Sequence, residues 1–222
     1  DTAKNPAPKK AAKSCPKVPC NCPGTAKAKN PAPLPLTREK AVLEVIHSRK
    51  SVRHYVKKHV PTVMLERLVG AGMAAPTAHN KQPWAFMIIT DRKLLDELGN
   101  TLSNARMIKQ THAAILVMGD MKLAVPGKYK DYWVQDASAA VENILLAAEA
   151  MGLGAVWTGV FPKEQRYTML AKRLKLPDHI IPFALIPVGW PSGVDKPKQK
   201  WDAKKLHWNR WGDNDKPSLI SP

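Results

Sequence analysis

The chain is expected to fold as an α+β protein, a central sheet with helices on both of its faces. Two observations predict this. Four compact apolar runs, Trp84 to Thr90, Ala113 to Gly119, Gly154 to Val160 and Ile181 to Trp190, have strand length and little polar alternation, so they read as buried strands. Longer segments with helical spacing separate them, and helices that alternate with buried strands end up covering the sheet on both sides. A chain of 222 residues with 44% hydrophobic content suffices for one domain with a substantial core plus a tail.

In chain order, Val42, Leu43, Val45 and Ile46 form a helical stripe that ends before Arg49. A second helix starts at Pro61, a good first helical residue, and carries Met64, Leu65, Leu68 and Val69. After the strand at Trp84, Asp91 caps a helix with Leu94, Leu95, Leu98 and Leu102. The segment from Asp120 to Asp131, with Pro126 and Gly127, reads as a loop. A long Ala- and Leu-rich helix then runs from Tyr132 to Met151 and is closed by Gly152. Lys163 to Leu174 is a helix stopped before Pro177, and Pro182 and Pro187 suggest that the last strand lies at an edge or is broken.

Three regions follow from composition. Residues 1–36 carry seven lysines against one acid and hold the chain's three cysteines, so they are expected to be an extended tail without a core of their own. Residues 37–196 form the folded domain. Residues 197–222 are polar but carry Trp201, Trp208 and Trp211, which suggests an arm that packs on a partner subunit. The net charge of +17 is compatible with anionic cofactors or acidic protein partners. No helix-turn-helix, zinc-finger or RNP-type pattern accompanies it, so nucleic-acid binding is not expected. No apolar run approaches the roughly eighteen residues of a membrane span, so no span is expected.

Three segments carry candidate chemistry. Arg49-Lys50-Ser51-Val52-Arg53 places three cations and a hydroxyl together, which suits a phosphate; the alternative is a solvated basic helix end. Ala75 to Trp84 links a helix to a buried strand, its small residues allow close approach of a flat ligand, and Asn80 and Gln82 offer both donors and acceptors. Gly152 to Val160 can present backbone N–H groups, or can simply terminate a helix and enter the core. No side-chain nucleophile or general base stands out. His79 and His112 are the candidates, each read first as structural. Tyr129, Tyr132 and Trp133 could stack on an aromatic substrate or pack internally.

Taken in order, these segments resemble the nitroreductase family. The carrying motifs are Arg49 to Arg53, Ala75 to Trp84, Gln135-Asp136 to Ala140, Gly152 to Gly154 and Val188 to Pro191, with Leu206 to Trp211 similar to the family's closing segment. The resemblance implies a three-layer fold with a central mixed sheet, a homodimer with exchanged C-terminal arms, and FMN as cofactor. Arg49, Lys50, Ser51 and Arg53 would hold the phosphate, ribityl chain and pyrimidine edge. Pro76, Thr77, Asn80 and Gln82 would lie along the ring system, reached from the partner subunit. Trp157, Thr158 and Gly159 would flank its other side with a backbone N–H near N5, and Lys200 would reach the phosphate. The activity implied is reduction of nitroaromatic, quinone or related acceptors in a ping-pong scheme, with NAD(P)H as possible donor. The alternative is a flavin-binding electron-relay subunit of a larger complex using a protein donor.

The spacing of Cys15, Cys20 and Cys22, C-x4-C-x-C, is not a common zinc or ferredoxin pattern. It leaves a disulfide or a metal or cluster site open. A cysteine-free domain behind a Lys- and Pro-rich leader favours export to a periplasm, with a cytoplasmic location as the alternative. Nicotinamide donors are scarce outside the cytoplasm, so an exported protein would draw electrons from a protein or membrane carrier. The basic tail could dock an acidic electron-transfer protein.

Overall fold

The computed structural model describes residues 36–214. The N-terminal tail with Cys15, Cys20 and Cys22 therefore lies outside the described residues. Five helices cover the sheet: α1 (Leu36–Ser48), α2 (Thr62–Met73), α3 (Arg92–Thr101), α4 (Tyr132–Ala150) and α5 (Glu164–Arg173). Six strands form it: β1 (Tyr55–Val56), β2 (Trp84–Ile89), β3 (Ala113–Asp120), β4 (Gly154–Ala155), β5 (Thr158–Gly159) and β6 (Ile180–Pro191). The main order is β1-β6-β3-β2, with β4 and β5 also paired to β6.

β3 shows why the strands read as unbroken apolar runs. Ala113, Ile115 and Val117 face one core, with α2 and α4, while Ala114, Leu116 and Met118 face a second core, with α3, α5 and the short 3-10 segment Ser103–Gln110. Successive side chains of a strand alternate between faces, so a strand buried on both sides must be apolar throughout. On the first face α4 turns Trp133, Ala137, Ala140, Val141, Ile144 and Ala148 inward at helical spacing. Its alanines let the helix lie close to the sheet. Gly72 serves the same purpose on α2, where an added Cβ would stand 3.0 Å from the Cδ1 of Ile144.

The Asp91 cap is as expected, with its carboxylate accepting the Leu94 N–H at 2.7 Å. Pro61 stands one residue earlier than anticipated, at the N-cap of α2 rather than its first turn. Three other features differ from expectation. The sheet was expected to be mixed, yet all strand pairs among the described residues are antiparallel. The β2-to-β3 connection explains one of them: α3 carries the chain away and Ser103–Gln110 brings it back, so β3 starts at the end of the sheet where β2 finished.

The last strand is not an edge. β6 is central, with β3 on one side and β4 and β5 on the other. Its prolines sit where the ladder already fails. Pro182 adjoins a bulge that leaves Phe183 as the extra residue, and the Phe183 carbonyl turns aside to accept the N–H groups of Val160 and Phe161 at 3.1 and 3.0 Å. Pro187 explains the third difference. Gly154 to Val160 was expected to be one strand but splits into β4 and β5, which keep one register across the gap. That register sets Val156 against Pro187, which has no N–H to give, and the ladder is interrupted there.

Candidate active site

α4 is the element around which the candidate residues gather. Near its N-terminus, Tyr132, Gln135 and Asp136 face the segment that follows α2. Pro76, Thr77, Ala78 and His79 complete an open cleft of about 470 Å³. Asp136 lies on the buried stripe of the helix, where an acid is costly unless paired. One of its carboxylate oxygens accepts the Ala78 N–H at 2.8 Å, while the other is buried with no protein partner. The loop it holds is strained. His79, Asn80 and Gln82 all adopt left-handed backbone angles, with φ of 51°, 52° and 50°. Residues other than glycine rarely do so, and three within four positions mark a backbone shaped for something other than stability.

Local hydrogen bonds keep that shape. The Gln82 N–H donates to the Thr77 hydroxyl at 3.1 Å, and the Gln82 side-chain amide donates to the Asn80 side-chain oxygen at 3.0 Å. Both amide side chains remain exposed and retain unused donor and acceptor groups.

The Arg49–Arg53 segment runs beside the C-terminal half of α4. Val52 is its buried anchor, packed where an added Cβ on Gly154 would come within 2.7 Å. The cations around it divide into two kinds. Arg49 meets Glu142 at 2.9 Å and Lys50 meets Glu149 at 2.8 Å, two carboxylates one heptad apart on α4. Ser51 and Arg53 are exposed, and the Arg53 guanidinium has no carboxylate partner among the described residues. Arg49 also lines a cavity of about 620 Å³ together with Lys198, Lys200 and Trp201.

Behind this segment, Asp195 fixes the backbone. Its carboxylate accepts the N–H groups of Arg53 and His54 at 3.0 and 3.2 Å and lies 3.2 Å from the His54 ring nitrogen. Burial alone would raise the Asp195 pKa, but these bonds outweigh it and hold the carboxyl below the usual carboxylate range. Tyr55 is moved strongly the other way, chiefly by burial and then by the nearby Asp195 charge, so it stays a neutral donor to the Val52 carbonyl at 2.6 Å.

The remaining candidates fall differently. Tyr129 and Tyr132 are exposed and stacked, 6.0 Å apart and 17° from parallel, available to a flat substrate. Trp133 was grouped with them as a substrate-pocket residue, and that is corrected. It is 3% exposed in the core, edge-on to Phe161 and Phe183, and so close to Gly119 that a Cβ there would stand 2.4 Å from its ring. Helical periodicity explains the difference, since position 133 shares the inward stripe with Ala137 and Ala140. Trp157 is partly exposed, edge-on to Phe183 at 5.6 Å, and Gly159 has open space where a side chain would be. The Thr158 hydroxyl is turned inward and donates to the Leu185 carbonyl, which leaves only its backbone for a ligand. Within one chain, residues 157–159 do not line the Thr77 cleft. Among the described residues no group of side chains could hold a metal ion.

The model of the nitroreductase family matches residues 46–105 and 99–190. The chain belongs to the nitroreductase family. A protein of Methanothermobacter thermautotrophicus, named provisionally as an NADH dehydrogenase/NAD(P)H nitroreductase, is 37% identical over 77% of this chain and 87% of its own length. A crystal structure of a similarly named protein from Parabacteroides distasonis has a TM-score of 0.72 and 46% identity, covering 77% of this chain and 98% of that one. A nitroreductase from Desulfovibrio desulfuricans, solved in complex with FMN, has a TM-score of 0.66 and 32% identity, covering 74% and 94%.

Sequence reasoning gave no role to Asp136, Glu142, Glu149 or Asp195. Asp136 carried a signal, since it is an acid on the apolar stripe of a helix. The other three are ordinary surface residues in sequence, and only the fold brings them to Arg49, Lys50 and Arg53.

Proposed function

We propose that the protein is an FMN-dependent oxidoreductase that uses NAD(P)H or another donor to reduce nitroaromatic, quinone or related acceptors. The observation that carries this reading is the strained loop Thr77–Gln82, pinned by Asp136 at the rim of an open cleft and presenting two exposed amide side chains that keep unused donors and acceptors. The residues fit the group. Arg53 and Ser51 are free to hold a phosphate, with Arg49, Lys50 and Lys200 adding positive charge nearby. Asn80 and Gln82 match a ring edge that needs both donors and acceptors. Gly159 leaves open space where a side chain would stand, with its carbonyl already held by Asn104 and Arg166. FMN, when bound, supplies two-electron transfer between donor and acceptor. The chain's own residues hold and orient it, place positive charge where reduction builds negative charge, and offer Tyr129 and Tyr132 to the substrate. One open cleft that admits donor and acceptor in turn supports a ping-pong order.

The working unit is a homodimer in this reading. The arm leaves Trp201 and Trp211 at 74% and 90% exposure, and α1 leaves Val42, Leu43 and Ile46 largely uncovered. Surfaces this apolar call for a partner, and a second copy would bring residues 157–159 and 76–82 to one ligand. The Lys-rich tail supports an exported location and an acidic electron-transfer protein as donor. Removing residues 1–36 should then slow partner-driven reduction while sparing dithionite-driven turnover.

The test is the visible spectrum of the purified protein, followed by anaerobic addition of NADH and NADPH. Flavin bands that bleach and then return on adding a nitroaromatic or a quinone are expected. A colourless protein that does not take up FMN would refute the reading. Stable flavin without turnover of small acceptors would favour an electron-relay subunit instead.

A further inference from the structure

A further cavity, of about 500 Å³, lies on the α3 side of the sheet. Lys57, Lys58, Arg92 and Lys109 bring four fixed positive charges to its wall, with His59 and His112 between them. The lone carboxylate there, Asp96, is already held by Arg92 at 2.8 Å. The cavity is therefore strongly positive and not internally neutralised.

Its walls are built rather than merely charged. The Arg92 guanidinium donates to the Thr111 and Ile108 carbonyls at 2.7 and 3.3 Å, which fixes its plane. The Lys58 ammonium lies 4.2 Å from the centre of the Trp190 ring, whose indole N–H donates to the His59 carbonyl at 2.9 Å. The His59 and His112 rings meet edge to face at 4.2 Å, and the Nδ1 of His112 is shut off from solvent without a hydrogen-bond partner. Burial, then His59 and Arg92, hold the His112 pKa below its ordinary value. The groups facing His112 are Lys57, Lys58 and His59 from the β1–α2 connection, Arg92 and Asp96 from α3, and Lys109 and Gln110 from the segment before β3. An anion seated among them would offset the repulsion from these cations and allow the ring to take a proton.

The cavity is separate from the cleft at Thr77. That cleft adjoins the start of β2, whereas Thr90, at this cavity, follows its end, and six strand residues span about 20 Å.

We propose that this cavity is an anion site, distinct from the Thr77 cleft, that takes the phosphate group of a small phosphorylated ligand. A phosphate brings close to two negative charges, which suits four cations against one carboxylate better than a lone carboxylate ligand would. Arg92, whose guanidinium already donates to Thr111, Ile108 and Asp96, supplies fixed charge, and the flexible lysines supply the donors a phosphate needs.

The experiment titrates the flavin-loaded full chain with inorganic pyrophosphate by calorimetry at physiological salt. One pyrophosphate per chain is expected, without release of flavin, and with a heat that changes with the buffer's ionisation enthalpy because a proton is taken up. The double variant Lys57→Gln/Lys109→Gln alters two exposed side chains and should weaken binding by about tenfold or more. Excess free FMN should leave the pyrophosphate affinity unchanged. No binding, equal binding by the double variant, or competition by FMN would each overturn the proposal.

Discussion

Both faces of the sheet leave buried polar atoms unpaired, Asn104 and His112 on the α3 side and Asp136 on the α4 side, but only the α4 face buries an acid beside a strained loop. On the α3 and α5 side, Leu95, Leu98, Ile108, Leu116, Leu170 and Leu185 meet without a buried acid among them. On the α4 side the buried stripe of the helix includes Asp136, with one oxygen unpaired, and just outside it lie the acids that hold Arg49 and Lys50. Left-handed residues crowd the loop that Asp136 pins. The difference teaches that the α3 face keeps its core free of acids, while the α4 face gives up some stability for a shaped ligand cleft.

Five substitutions can break or sharpen that contrast. Leu116→Ala, on the first of these faces, should cost about 2–5 kcal/mol of folding free energy, read by denaturant unfolding, while the folded fraction keeps its flavin affinity. A parallel loss of flavin affinity would mean that the faces are not independent. Arg53→Ala should cost about 1.5–3 kcal/mol in FMN affinity with little change in stability. Arg49→Ala should cost less, because Glu142 already engages that cation and gains nothing when the ligand arrives. The reverse order would place the phosphate nearer Arg49.

Asp195→Asn sharpens the comparison through pH. The folded-state carboxyl titrates below its unfolded value, so its stabilisation is complete near neutrality and is lost as pH falls below about 4. The stability gap between the wild type and this variant should therefore be widest near pH 7 and close in acid. A gap that widens as pH falls would contradict the assigned bonds. The smallest effect belongs to His79→Gly. Relief of the left-handed strain is partly offset by the greater freedom of glycine in the unfolded chain, so the flavin-free protein should gain under about 1 kcal/mol while FMN binds more weakly.

Much of this was legible in the sequence, and the reasons are specific. β3 reads as a strand because both of its faces are covered, which leaves no polar position. Asp91 caps α3 because nothing else in that loop could. The family was legible because its motifs lie in order along the chain and each has a local reason. What failed was whatever depends on register. Pro182 and Pro187 look like edge markers until the bulge at Phe183 and the gap opposite Pro187 show where a central strand can dispense with an N–H. Trp133 looks like a substrate platform beside two tyrosines, yet the helix that begins at Tyr132 turns it inward by one position. Glu142 and Glu149 could not be matched to Arg49 and Lys50 in advance, because those contacts span about ninety residues of chain or more.

The most direct test is an FMN titration of the flavin-stripped protein, comparing the wild type with Arg53→Ala and with Lys109→Gln on the opposite side of the sheet. One FMN per chain is predicted, with affinity reduced in Arg53→Ala and unchanged in Lys109→Gln. No FMN binding, or equal binding by all three proteins, would contradict the placement of a flavin along α4.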